Sequence, residues 1–235
     1  MHPFIGTSGF SYKEWKGSFY PADLSDKKML GYYSTRLAAV EINNTFYRMP
    51  KTELVAGWAA QVGEGFKFVL KAPQRITHRE RLEGSEESIA AFLSAARVLG
   101  DKLGAVMFQL PPFFRKDVPK LSAFLDLLPG DVSAAFEFRH ATWFADDVYE
   151  ALRAKNVALV TGDADDSEKS PPFVATANFG YLRLRAPEYS DEGLSIWADG
   201  IAKQAWSAAF VFLKHEVLGP QYAEKLAVKL AERAT

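Results

Sequence analysis

The sequence contains no cysteine, which excludes disulfides, thiolate metal ligands and a cysteine nucleophile. Histidine is scarce, at four residues, and no H-E-x-x-H pair is present to fix a zinc ion. No apolar run approaches the roughly 20 residues that span a bilayer. The opening residues, MHPFIGTSGF, lack the basic start and apolar stretch of a secretory signal. These absences lead to the expectation of a cytoplasmic protein that does not enter a membrane. An excess of either charge is missing too: 28 Lys and Arg stand against 29 Asp and Glu, for a net charge of −1. General attraction to nucleic acid is therefore not indicated, although a local basic pocket is compatible with that balance. Linkers, internal repeats and low-complexity tracts are also wanting.

What is present is core-forming material and a regular alternation. Hydrophobic residues make up 48% of the 235 residues, enough for a large core. Short apolar runs occur at 4–7, 39–43, 66–71, 104–109, 134–138, 157–161, 180–185 and 208–213. Most are too short for helices, and their near-continuous apolarity suits strands covered on both faces. Helical patterns lie between them at 27–37, 86–99, 118–128, 147–155, 192–204 and 221–233. About eight strand-then-helix units fill residues 1–235 as one domain. The fold class is therefore α/β, a TIM-type (β/α)8 barrel whose parallel sheet closes on itself. The sixth unit is irregular, because residues 163–172 are acidic, contain proline and show no helical pattern. An open doubly wound sheet competes, but Gly6-Thr7-Ser8-Gly9 runs into an aromatic stretch rather than a helix start.

Charges inside the strands are the informative feature, since buried charge is costly unless paired. Alternation in Val40-Glu41-Ile42-Asn43 sends Glu41 and Asn43 into the barrel if Val40 and Ile42 face the helices. The same logic turns Glu137 and Arg139 inward together, and Arg183 with Arg185. Lys71 ends the third strand, Gln109 the fourth, and Lys214 follows the eighth. All these ends converge on the mouth where barrel enzymes place their active sites. Structural pairing is a competing account: Glu137 with Arg139 along one strand, or Glu41 with Lys71 across two. His78 lies in the loop after the third strand, and His140 just after the fifth. Aromatic residues crowd the loops. Most would plug the barrel end, while Tyr12, Trp15 and Trp143 are the candidates to stack on a ligand ring.

These segments resemble the DUF72 (YecE-like) family. The resemblance is carried by Gly6-Thr7-Ser8-Gly9-Phe10-Ser11-Tyr12 leading to Trp15 and Pro21, by Glu41-Ile42-Asn43-Asn44-Thr45-Phe46-Tyr47-Arg48, and by Phe68-Val69-Leu70-Lys71-Ala72-Pro73 with Thr77-His78. Phe108-Gln109-Leu110-Pro111-Pro112 and Phe136-Glu137-Phe138-Arg139-His140 with Trp143 complete it. It implies a TIM-type barrel and no particular reaction. It departs from the family pattern at Arg183-Leu184-Arg185-Ala186 and at Lys214-His215-Glu216.

The expected function is an enzyme acting on an anionic, phosphate-containing small molecule. Glu137 would be the general acid or base, with Glu41 the second carboxylate and His78 the second proton carrier. Arg48, Lys71, Arg139 and Arg183 would hold the anion, with Asn43, Gln109, Tyr12, Trp15 and Trp143 completing the binding set. Glycoside hydrolysis by Glu41 and Glu137 is one alternative, although surrounding cations oppose a protonated acid. A non-catalytic module binding single-stranded nucleic acid or another ligand, with Tyr12, Trp15 and Trp143 as the nucleic-acid contacts, is the other. Glu41, Glu137, Asp163 and His78 include metal-ligating types, but neighbouring cations oppose a metal, and none is assigned. The sequence specifies no cofactor and no oligomeric state.

Overall fold

The computed structural model describes residues 1–163 and 171–233. Eight parallel strands close into a barrel in sequence order. Chain order runs β1 (His2–Ser8), α1 (Met29–Ser34), β2 (Ala39–Ile42), α2 (Thr52–Ala59), β3 (Lys67–Lys71), α3 (Glu86–Arg97), β4 (Leu103–Gln109) and α4 (Val118–Asp126). It continues with β5 (Ala134–Glu137), α5 (Asp146–Ala154), β6 (Ala158–Gly162), β7 (Phe179–Leu184), α6 (Asp191–Ala202), β8 (Ala208–Leu213) and α7 (Gly219–Glu232). The strands closely follow the apolar runs. Closure rests on β1, which pairs with both β2 and β8.

Each strand sorts its side chains between two cores, as a period of two requires. Val40, Phe68, Leu70, Val106, Phe108, Phe136, Leu182 and Val211 pack outward beneath the helices. Phe4, Val69, Met107, Val160, Phe179, Phe210 and Phe212 fill the interior with small Ala39, Ala105, Ala135 and Ala158. Toward the carboxyl ends the inward positions change character, to Glu41, Lys71, Gln109, Glu137 and Arg183, all buried. The apolar layers thus form a floor, and the polar layer above it lines the mouth.

Two features differ from the sequence reading or lie partly beyond it. The helix α2 has no counterpart among the expected helices. It is short and carries Gly57 in its interior, and only Val55 and Trp58 are buried, so its apolar stripe is too thin to register as a pattern. Most of the irregular sixth connection, 164–170, lies outside the described residues; residues 171–178 reach β7 without helix. Among the described residues, no helix is long and apolar enough to cross a membrane.

Candidate active site at the barrel mouth

One guanidinium organises the mouth. Arg183, near the end of β7, donates from Nη2 to Glu41 Oε1 on β2 at 2.9 Å, and from Nη1 to Glu137 Oε2 on β5. Glu41 and Glu137 sit on strands nearly opposite each other, yet this one cation bridges both. Each carboxylate is then filled by further donors. Glu41 accepts from Ser8 Oγ at 2.8 Å, Asn43 Nδ2 at 2.8 Å and Tyr181 Oη at 2.7 Å. Glu137 accepts from Gln109 Nε2 at 2.7 Å, from Arg139 Nη2 at 3.1 Å and from Arg185 Nη2 at 3.1 Å.

This wiring fixes the protonation states. Burial pushes both carboxyl pKa values up, but the opposing influences together outweigh it. For Glu41 these are Arg183 and the Tyr181, Asn43 and Ser8 hydrogen bonds; for Glu137 they are Arg183, Arg185, Arg139 and the Gln109 hydrogen bond. Both groups are held below the usual carboxylate range. Neither is available as a protonated acid, and neither has the basicity to take a proton near neutral pH. This direction runs against the general acid–base role expected of Glu137 and against the glycosidase pair, which needs one protonated carboxyl. The two glutamates act as fixed counter-charges that hold the arginines in place.

An acid-stability prediction follows. Folded-state values below those of the unfolded chain mean that the unfolded state binds protons first. The stabilisation is complete above the unfolded glutamate value of about 4.3 and is lost as pH falls from there toward the folded values. Urea midpoints measured from pH 6 to pH 2.5 should drop more steeply for the wild type than for Glu137→Gln. Parallel curves would show that the ion pairs do not govern acid lability.

Lys71 completes the inward ring in an unusual state. Its Nζ donates to Gln109 Oε1 at 2.9 Å and lies 4.1 Å from the centroid of the Phe46 ring. No carboxylate pairs with it among the described residues; the Glu41–Lys71 bridge weighed from sequence is replaced by Glu41–Arg183. Burial and Arg183, opposed by Glu137 and Glu41 and aided by Arg139, push its pKa down to about 8. His78 sits in the turn Arg75–Arg79, its ring meeting the Phe46 ring edge-on at 5.0 Å between centroids. Burial, then Lys71 and Arg139, lower its pKa, so its imidazole is neutral at physiological pH.

Other expected site residues fall elsewhere. Trp15 is buried at 1% exposure and donates its indole N–H to the Glu216 carbonyl at 2.8 Å. Trp143 is wholly buried, donates to the Phe114 carbonyl at 2.6 Å and stacks on Phe138. Both plug loops into the barrel end and offer no face to a ligand. Tyr12 is half-buried against Trp15, with its hydroxyl donated to the Ser8 carbonyl at 2.7 Å. An aromatic platform for single-stranded nucleic acid is therefore not formed by these three. Arg48 is exposed and lines a separate hollow of about 250 Å³ with Tyr47, Arg75 and Arg79. Asn43 and Gln109 turn their amides to the glutamates and Lys71. Asp163 caps the β7 exit, accepting from the Arg185 and Ala186 amides and from Tyr189 Oη. Among the described residues no three metal-ligating side chains gather.

The open part of the mouth is a cavity of about 860 Å³. Among the described residues its charged lining is Arg139, Arg183, Arg185 and Lys214 against Glu137 and Glu216. Arg185 and Lys214 belong to the cluster without having been selected as binding residues from sequence, and Tyr181 and Ser8 were missed. The alternation Tyr181-Leu182-Arg183-Leu184-Arg185 contained the signal for Tyr181 and Arg185. Ser8 had none beyond its place at a strand end.

Comparison with known proteins agrees with this architecture. The family model described as "Protein of unknown function DUF72" matches residues 4–235. The UPF0759 protein YecE of Escherichia coli K12 is 35% identical over 114 residues, covering 48% of this chain and 42% of the relative. The UPF0759 protein YunF of Bacillus subtilis 168 is 31% identical over 155 residues, covering 63% and 54%. The chain thus aligns with about half the length of these curated relatives. The crystal structure of a DUF72 family protein from Thermotoga maritima superposes with a TM-score of 0.81 at 24% identity, covering 100% of this chain and 98% of that one. That likeness concerns the fold alone.

Proposed function

Since the chain belongs to the DUF72 family, whose function is unknown, its chemistry must be read from its own side chains, and we propose that the mouth is an enzyme's binding site for an anionic, phosphate-containing small molecule. One observation carries this reading. Among the described residues, four cations and two acids line a cavity of about 860 Å³, a size suited to a small metabolite. One of these acids, Glu137, is already saturated by arginines, which leaves surplus positive charge among these lining residues. Arg139 is anchored on Glu137 through Nε and Nη2, and Arg185 through Nη2 alone, while neither Nη1 makes a hydrogen bond among the described residues. Guanidinium groups held in place on a carboxylate with donors left over are pre-organised for phosphate oxygens.

In this reading Arg139, Arg185 and Lys214 contact the anion. Arg183, Glu41 and Glu137 form the rigid frame beneath it. His78 and Lys71 are the groups able to move protons near neutral pH. The step from an anion site to catalysis rests on the general behaviour of barrels with polar mouths. The test is calorimetric titration with inorganic phosphate, sugar phosphates and neutral oligosaccharides. Binding confined to the phosphorylated compounds, and weakening with added salt, is the expected result. Binding of neutral oligosaccharides alone would overturn the proposal.

A further inference from the structure

Lysine is rarely buried without an anionic partner, and Lys71 is such a case. It ends β3 at 8% exposure. Two carboxylates lie in the same polar layer, but Glu41 takes Arg183, and Glu137 takes Arg183, Arg139 and Arg185. What remains for Lys71 is one amide oxygen, Gln109 Oε1, and the face of Phe46. The groups whose charge bears on it are Arg183, Glu137, Glu41 and Arg139, and His78 packs against the same Phe46 ring. A purely structural lysine would gain from an ion pair, and this arrangement withholds one. Arginines, which stay charged, hold the carboxylates, while Lys71, an amine that can shed its proton, is kept apart from them. Gln109 also ties Lys71 to Glu137, which lines the anion cavity.

We propose that Lys71 is a nucleophilic amine that forms an imine with an aldehyde or ketone substrate whose anionic group sits on Arg139 and Arg185. The substrate class rests on the anion reading given above; the amine chemistry rests on Lys71 and its surroundings. The Nζ lone pair adds to the carbonyl carbon, and one proton moves from the nitrogen through water to the oxygen, giving a neutral carbinolamine. A proton from solvent then goes to the departing hydroxyl, and the nitrogen keeps its remaining proton as an iminium. Water leaves, a carbon–nitrogen double bond replaces carbon–oxygen, and no oxidant or reductant is required. With its pKa pushed down to about 8, Lys71 holds a far larger free-amine fraction at pH 7.5 than an ordinary lysine at about 10.4.

The test is borohydride trapping with glycolaldehyde phosphate and, separately, with glycolaldehyde, followed by peptide mass mapping of the whole chain. At low aldehyde and pH 7.5, the reduced adduct should map to Lys71, at least tenfold above any surface lysine such as Lys13 or Lys27. Lys71→Arg should lose that adduct while circular dichroism and the melting curve show that it folds. Preferential trapping by the phosphorylated aldehyde supports both the amine and the anion pocket. Equal trapping at Lys71 by both aldehydes supports the amine and overturns the anion reading. Adducts on surface lysines with Lys71 unmodified in the folded protein overturn the imine proposal. Phosphate titration then decides the anion reading separately.

Discussion

Arg183→Met should cost about 3–5 kcal/mol of stability, the usual result of removing one partner from a buried ion pair. For a domain of this size that lowers the melting temperature by on the order of 10 °C. Arg183 is 5% exposed and, among the described residues, is the only side chain bridging Glu41 and Glu137. Among those residues its loss leaves Glu41 with neutral donors only, Ser8, Asn43 and Tyr181. Glu137 is less affected because Arg139 and Arg185 remain. Adding Glu41→Gln to Arg183→Met should therefore restore much of the loss, since it removes the carboxylate left without a cation while Glu137 keeps Arg139 and Arg185. Urea unfolding of the single and double variants measures both. A single variant within about 0.5 kcal/mol of wild type would show that the bridge is not a structural keystone.

The second large effect is expected at Gly162. This residue pairs with Arg183 across β6 and β7. A Cβ built there would stand 1.9 Å from the Arg183 carbonyl oxygen and 2.8 Å from its carbonyl carbon. Both are backbone atoms and cannot swing aside, so β7 must shift. Gly162→Ala should lose at least the 1–3 kcal/mol, approximately, that overpacking typically costs. It should also displace the Arg183 guanidinium, weakening phosphate binding by about tenfold, which corresponds to roughly 1.4 kcal/mol. Gly130→Ala, where nothing lies within 4 Å, serves as the control and should leave both properties unchanged. If Gly162→Ala behaves like Gly130→Ala, the strand spacing at the site is less rigid than described.

Much of this architecture is legible in the sequence because strands impose a period of two. Alternation alone turned Glu41, Glu137, Arg139, Arg183 and Arg185 inward, and the regular spacing of apolar runs gave the closed barrel. The distances between side chains are not legible in that way. Glu41 and Glu137 sit on strands nearly across the barrel, and only the length of Arg183 joins them. Reach across an interior depends on rotamers that no spacing specifies. Large aromatics mislead for a related reason. Trp15 and Trp143 lie in loops at the ligand-binding end, where a platform and a plug have the same sequence signature. Their indole N–H groups find backbone carbonyls in neighbouring loops, and that contact buries them. Arg48 follows β2 at the same end, but the short turn Asn44–Phe46 carries it to the outer hollow. The protonation states were the least legible. A glutamate among arginines could be read as an acid–base group until each of its oxygens was found to be occupied.

The central claim, that the mouth holds an anion on Arg139 and Arg185, is tested most directly by thermal unfolding with and without inorganic phosphate. The wild type and Arg139→Ala/Arg185→Ala would be compared at equal ionic strength. Phosphate at about 100 times its dissociation constant should stabilise the wild type by about 2.7 kcal/mol, and the double variant should show no shift. A wild type indifferent to phosphate, or a double variant stabilised as much as the wild type, would contradict the claim.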